Sequence, residues 1–305
     1  MTKSLRIATR GSAQAKAQST AVAEALALRH PGLRVELVLV ETLGDQRADV
    51  PLHTMGGQGV FVKEVQRAVL SGAADIAVHS AKDLPTSGVG GGETGLTLAA
   101  FCERRDPRDA LIGATLADLR SGATVATGSV RRSAQLAHVR PDLQFTELRG
   151  NIHTRLKKVP PNGALVMAVA ALQILDLTDR IAEVLPVDPF VPSPGQGCVA
   201  VECRMNDAWA SELLAGIDHS PTRAAVEAER AFLAELGTGC TLPVGAYVDH
   251  SDRDGDSLIG FLARPEIGRV LIRRVALPVP AERLRNAANL ARQLQDELHD
   301  ESREP

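Results

Sequence analysis

Five arginines stand against two carboxylates between Ser129 and Arg155, and four of them, Arg131, Arg132, Arg149 and Arg155, fall where a strand should end and a helix begin. A guanidinium offers a planar fork that takes a carboxylate or phosphate through two parallel hydrogen bonds, and the free N–H groups of a helix N-terminus favour the same ligands. Thr127-Gly128-Ser129 precedes the first pair and Gly150-Asn151 follows Arg149. Small flanking residues let the backbone approach a ligand closely. The segment reads as a prepared anion site in preference to a solvated basic helix face.

Two other residues could add chemistry. Asp83 stands in Ala77-Val78-His79-Ser80-Ala81-Lys82-Asp83-Leu84-Pro85, after an apolar strand and before a proline that ends the local structure. A carboxylate among arginines is kept ionised by the nearby positive charge, and can stabilise a developing cation or move a proton. The plain alternative is a Lys82–Asp83 pair on an exposed turn. Cys240 follows Gly237-Thr238-Gly239, and glycines strip away bulk that would otherwise shield the sulfur. Its plain alternative is a small hydrophobe entering a strand. Cys198 and Cys203 read as strand residues. The four cysteines, which include Cys102, form no C-x-x-C pair, and His53 and His79 have no ligand or triad partner at a telling spacing, so no metal site is expected.

The balance of Lys+Arg 34 against Asp+Glu 37, net charge -3, gives no global basic field, and 3% aromatics leaves little for stacking bases. The cations are local, which excludes a nucleic-acid partner and favours a small anion. The N-terminus has no apolar leader segment and no stretch approaches membrane-spanning length, so a soluble, cytoplasmic protein is expected. A chain of 305 residues should form two or three domains.

These residues need a scaffold that brings strand ends together. Strands are expected at Leu5–Thr9, Arg34–Val40, Asp75–His79 and Gly95–Ala100, with helices from Ala15 to Arg29 and from Phe61 to Leu70. The stretch from Gly44 to Gly59 carries four glycines and a proline, and reads as a mobile lid. The alternation then repeats: strands Ala123–Thr127, Leu143–Leu148 and Ala164–Val169, helices Val130–Val139 and Asn151–Val159. In open α/β sheets ligands bind outside the carboxyl ends of strands, where Arg10, Ser80 to Asp83, Ser129 to Arg132 and Arg149 all fall, so two α/β lobes can face one cleft. The remainder differs. Helices Pro221–Leu236 and Ala281–Leu298 flank strands Cys240–Val248, Leu258–Ala263 and Val270–Ala276, which suggests a small α+β domain with an antiparallel sheet.

Seven segments, in order, resemble the porphobilinogen deaminase (hydroxymethylbilane synthase) family. They are Leu5 to Ser12, Asp75 to Pro85, Asp106 to Ala110, Thr127 to Arg132, Leu148 to Asn151 with Thr154-Arg155, Pro194 to Gly197, and Gly239-Cys240 followed by Pro243-Val244-Gly245. The resemblance implies two periplasmic-binding-protein-like α/β lobes around a cleft, with a C-terminal α+β domain built on a three-stranded antiparallel sheet. The implied domains are 1–98 with 198–217, carrying a lid at 44–60, then 102–194, then 220–305. It further implies a transferase that deaminates porphobilinogen and joins four units head to tail into hydroxymethylbilane, on a dipyrromethane cofactor held by Cys240 through a thioether.

Asp83 would be the catalytic carboxylate. Arg10, Ser12, Gln18, Ser80, Lys82, Thr127, Ser129, Arg131, Arg132, Arg149 and Arg155 match residues that hold the carboxylates of cofactor, substrate and growing chain, since porphobilinogen carries an acetate and a propionate. Ile174, Thr54 and Gln58 stand where many members carry a cation. The implied protein is a monomer that passes its product to uroporphyrinogen-III synthase. A two-lobed anion-binding or sensor protein without catalysis would account for the arginines, but not for Asp83 and Cys240.

Overall fold

A computed structural model of the chain describes residues 4–41, 62–86, 95–237, 243–251, 255–278 and 280–300. The expected lid at 44–60, with Thr54 and Gln58, and the cysteine at 240 lie outside the described residues. Contacts divide the chain into two compact units, Met1–Arg105 with Gly197–Arg223, and Asp106–Gln196 with Ala224–Pro305.

The first part of the chain runs through β1 (Ser4–Arg10), α1 (Ala13–Arg29), β2 (Arg34–Val40), α2 (Lys63–Leu70), β3 (Ile76–Ser80) and β4 (Leu96–Phe101). Next come β5 (Asp109–Ile112), β6 (Thr124–Ala126), α3 (Val130–Val139), β7 (Gln144–Thr146), α4 (Ile152–Leu156), β8 (Ala164–Ala168), α5 (Val169–Gln173) and β9 (Glu183–Val184). The chain continues with β10 (Val199–Arg204), α6 (Ala208–Ala215), α7 (Ser220–Glu235), β11 (Val244–Ser251), β12 (Gly255–Arg264), β13 (Arg269–Ala276) and α8 (Pro280–His299).

In the first unit the strand order is β2-β1-β3-β10-β4; β1 runs parallel to β2 and β3, and β10 antiparallel to β3 and β4. Helices cover both faces, so the central strands are apolar almost throughout. Leu5, Ile7, Ile76 and Val78 pack with Val22 and Leu26 of α1, while Ala8 and Ala77 pack with Val65 and Val69 of α2.

The second unit holds two sheets. One has the order β7-β6-β8-β5-β9, with β6 parallel to β7 and β8, and β5 antiparallel to β8 and β9. Both α/β sheets therefore set a parallel triplet, ordered second-first-third, beside an antiparallel strand. The other sheet is the antiparallel β11-β12-β13. Phe232 of α7 and Leu290 and Leu294 of α8 pack on Val248, Leu258 and Leu262, and a Cβ at Gly260 would lie 2.7 Å from the Phe232 ring, so the helix fits only over glycine. Ile259, Phe261 and Ala263 face the other way, toward Ala134 of α3 and Val191.

Candidate active site

The carboxyl ends of the adjacent parallel strands β1 and β3 open onto a pocket lined by Arg10, Ser12, Gln14, Ala15, Gln18, Val62, Val78, His79, Ser80 and Asp83. Local structure fixes these side chains. Ser12 caps α1 by accepting from the Ala15 N–H at 3.2 Å, and the Gln18 amide and Ser80 hydroxyl exchange hydrogen bonds at 3.0 and 3.2 Å. After Ser80 the chain makes a single 3₁₀ turn over Ala81–Asp83. The Ala81 N–H donates to Cys198 O at 3.0 Å, and Ala81 and Leu84 are buried. Asp83 is thus exposed on a turn that is anchored on both sides. Lys82 is half-buried on the same turn and is not among the residues lining the pocket.

A buried acid lies behind this wall. Nε2 of His79 sits 3.0 Å from Oε2 of Glu202 on β10, and the Gln66 amide of α2 donates to both Glu202 oxygens at 3.1 and 3.0 Å. An acid therefore stands 3.0 Å from His79, although Nε2 of His79 makes no hydrogen bond among the described residues. It comes from an antiparallel strand far along the chain, which spacing arguments do not reach.

In the second unit the expected arginines sit at the carboxyl ends of β6 and β7. Thr127 accepts from the Ser129 N–H at 3.2 Å, Ser129 caps α3, and Asn151 caps α4 by accepting from the Thr154 N–H at 2.9 Å. The glycines here are required by the chain's own close approaches. A Cβ at Gly128 would lie 2.9 Å from Leu148 O, and Gly150 has φ +110 with Thr154 Cγ2 2.9 Å from where its Cβ would be.

The first two arginines share one internal carboxylate. Arg131 Nη2 donates to Asp109 Oδ2 at 2.8 Å, while Arg132 Nε and Nη2 donate to Asp109 Oδ1 at 3.1 and 2.7 Å. Gln196 Nε2 adds a further bond to Oδ1 at 2.8 Å. Arg131 also reaches Gln135 Oε1 at 3.1 Å and Val191 O at 2.7 Å, and is buried. Burial alone would raise the Asp109 pKa, but the charges of Arg131 and Arg132 overcome it and hold the carboxyl well below the ordinary carboxylate range. Asp109 is the residue that sequence reasoning missed, although it lies in a segment that carried the family resemblance.

Arg149 and Arg155 are engaged differently. Arg149 Nε and Nη2 both donate to Glu147 Oε1, at 2.9 and 2.6 Å, and Arg155 Nε donates to Gly150 O at 2.7 Å. Arg140, the fifth arginine, holds Asp142 and the carbonyls of Leu116 and Leu119.

Sequence models of one family span both units. "Porphobilinogen deaminase, dipyromethane cofactor binding domain" matches residues 5–212, and "Porphobilinogen deaminase, C-terminal domain" matches residues 223–299. The chain belongs to the porphobilinogen deaminase family. Curated relatives in the family include the porphobilinogen deaminase of Geobacter sulfurreducens, 44% identical over 281 residues, covering 90% of this chain and 86% of that one. That of Acidothermus cellulolyticus is 48% identical over 251 residues, covering 79% and 74%. Among solved structures, the methionine binding protein MetQ aligns with 72% of this chain and 92% of its own, at 12% identity and a TM-score of 0.44.

The described residues fit the family's dipyrromethane, an acid-bearing group. Guanidinium forks, capping hydroxyls and helix N-terminal N–H groups are the donors that carboxylates take, and here they gather at strand ends in both units.

The Asp109 cluster makes a direct prediction. Removing one partner of a buried ion pair leaves uncompensated charge, so Asp109→Asn should lose about 3–5 kcal/mol of stability at neutral pH. Because the folded-state pKa is depressed, the wild-type advantage is full above the unfolded value and is lost as pH falls below about 4. Urea unfolding across that range should show the two proteins converging in acid. Equal stability at pH 7 would show that Asp109 does not hold the arginines.

Proposed function

We infer that the chain is a transferase of tetrapyrrole biosynthesis that deaminates porphobilinogen and joins four units head to tail into hydroxymethylbilane, releasing ammonia. The observation that carries this reading is the family match over residues 5–212 and 223–299. The dipyrromethane, once bound, supplies the primer and the pyrrole α-carbon that acts as nucleophile.

The chain's own residues then have separable tasks. Cys240 attaches the primer. Arg131 and Arg132, with Thr127 and Ser129, hold its carboxylates, and Asp109 sets the direction of the two guanidinium planes. Arg10, Ser12, Gln18, Ser80 and Lys82 receive substrate in the first unit, while Arg149 and Arg155 take carboxylates of substrate and growing chain. Each charged hydrogen bond contributes about 1.5–3 kcal/mol net. Asp83 stabilises the positive charge that develops on the reacting ring as ammonia departs, and its anchored turn keeps the carboxylate in place without reorganisation. Ile174, at the end of α5, supplies no cation of its own.

The proposed domains are 1–98 with 198–217, 102–194, and 220–305; each range is built around one of the sheets. We place the enzyme in the cytoplasm as a monomer that passes its product to uroporphyrinogen-III synthase. Among the described residues no helix is long and apolar enough to cross a membrane.

The test is turnover. Purified protein given porphobilinogen should release one ammonia per unit consumed and yield hydroxymethylbilane. Saturable binding of porphobilinogen with no ammonia release would instead establish an anion-binding protein.

A further inference from the structure

We propose that Glu147 is a placeholder for a ligand carboxylate at Arg149 and sets how tightly this chain takes its acid-bearing substrate. Leu148 between them is buried, so its two neighbours share the outward side of the segment that follows β7. There the guanidinium of Arg149 spends two donors on the single oxygen Oε1 of Glu147, at 2.9 and 2.6 Å. A fork matched to a carboxylate uses both oxygens. The pair is therefore incomplete, and an incoming carboxylate can form the bidentate contact that Glu147 does not make.

The contrast with Asp109 separates a displaceable acid from a permanent one. Asp109 has a side chain 2% exposed and accepts from Arg131, Arg132 and Gln196, so moving it would leave two buried guanidiniums uncompensated. The Glu147 side chain is 51% exposed and can return to water when a ligand arrives. Exposed pairs of this kind are weak, because solvent screens the charges and both long side chains lose freedom in forming them. Two further cationic side chains bond to the backbone here: Lys158 Nζ donates to Arg149 O at 3.3 Å, and Arg155 Nε donates to Gly150 O at 2.7 Å. Glu147 thus lowers the positive charge that Arg149, Lys158 and Arg155 bring to this point.

This inference rests on the proposed role of Arg149 as a carboxylate holder. It is tested with holoenzyme carrying Glu147→Gln, Arg149→Leu, or both, by steady-state porphobilinogen consumption at low and high salt. Glu147→Gln should lower KM about threefold at low salt, a gain of the size an exposed pair can withhold. The effect should fall on KM rather than kcat and shrink as salt rises. Loss of a merely structural contact would not raise affinity. In the Arg149→Leu background the gain should vanish. If Arg149→Leu behaves as wild type, the carboxylate role of Arg149 fails and the placeholder fails with it. If Arg149→Leu is impaired but Glu147→Gln leaves KM unchanged or raised, the placeholder alone is overturned. An equal KM gain with and without Arg149 would make Glu147 a diffuse surface charge and would also overturn it.

Discussion

Cys240→Ala protein is expected to purify with no adduct on the chain and to turn over no porphobilinogen, whereas the wild-type chain should carry a mass increment equal to two deaminated porphobilinogen units. The described cysteines give the chemical reason for choosing this residue. The thiolate is the nucleophile, and burial raises a thiol pKa by disfavouring the charged form. Burial, helped by Asp218, pushes the Cys102 thiol up to about 11. Burial likewise raises that of Cys203, and Cys198 is buried. In the sequence Cys240 follows Gly237-Thr238-Gly239, and although Cys198 likewise follows Gly195-Gln196-Gly197, that thiol is buried. Alanine at 102, 198 or 203 should therefore leave the adduct in place. Intact-protein mass measurement on the four variants decides the matter. An unmodified wild-type chain with full activity would end the assignment of Cys240 as attachment point.

The α/β alternation was legible because each lobe repeats a strong local pattern. Helix α3 begins and ends at the expected residues, Val130 and Val139, and β2 spans Arg34–Val40 as read. Where the pattern is short it misleads: the strand expected from Leu143 to Leu148 narrows to Gln144–Thr146, because Leu148 leaves the ladder to pass under Gly128. Likewise the helix expected from Asn151 to Val159 stops at Leu156, with Asn151 outside as its cap. Strand β5 was not anticipated. It is four residues long and opens with an aspartate, which argues against a buried strand until its arginine partners are known.

The same limit applied to the candidate sites. Residue type and position at strand ends were enough to pick out Arg10, Ser80 and Asp83, the family resemblance added Ser12 and Gln18, and all five line one pocket. Partnership across the chain was not readable. Sequence counting set five arginines against two carboxylates, but Asp109 enters from an earlier strand and changes the electrostatics of the first pair from two free cations to a rigid cluster that keeps one net positive charge. Glu202 reaches His79 in the same way, through antiparallel pairing of β10 with β3. Local spacing finds neighbours on one helix or strand. Non-local pairing needs the sheet order.

The second large effect is expected at Asp83. Asparagine keeps the size and one acceptor oxygen but removes the charge, so Asp83→Asn should retain the fold, the pocket and the carboxylate-holding arginines. What it loses is the electrostatic term that grows as the reacting ring becomes positive. Removing one such preorganised group typically costs about 100- to 1,000-fold in kcat, or ~3–4 kcal/mol. The loss should appear in kcat far more than in KM, because porphobilinogen's own carboxylates are held by the cations and Asp83 offers them only repulsion. Asp83 is exposed while Ala81 and Leu84 beside it are buried, so the substitution should leave the unfolding midpoint within the range of an ordinary surface change, about 0.5 kcal/mol. Glutamate tests position as well as charge: it keeps the carboxylate but extends it by one methylene from the anchored turn, and should recover only part of the rate. The comparison must use cofactor-loaded protein, checked by mass, so that failed loading is not mistaken for failed catalysis. Near-normal turnover by loaded Asp83→Asn would show that the charge on the reacting ring is met by another group, and the assignment of Asp83 would fall.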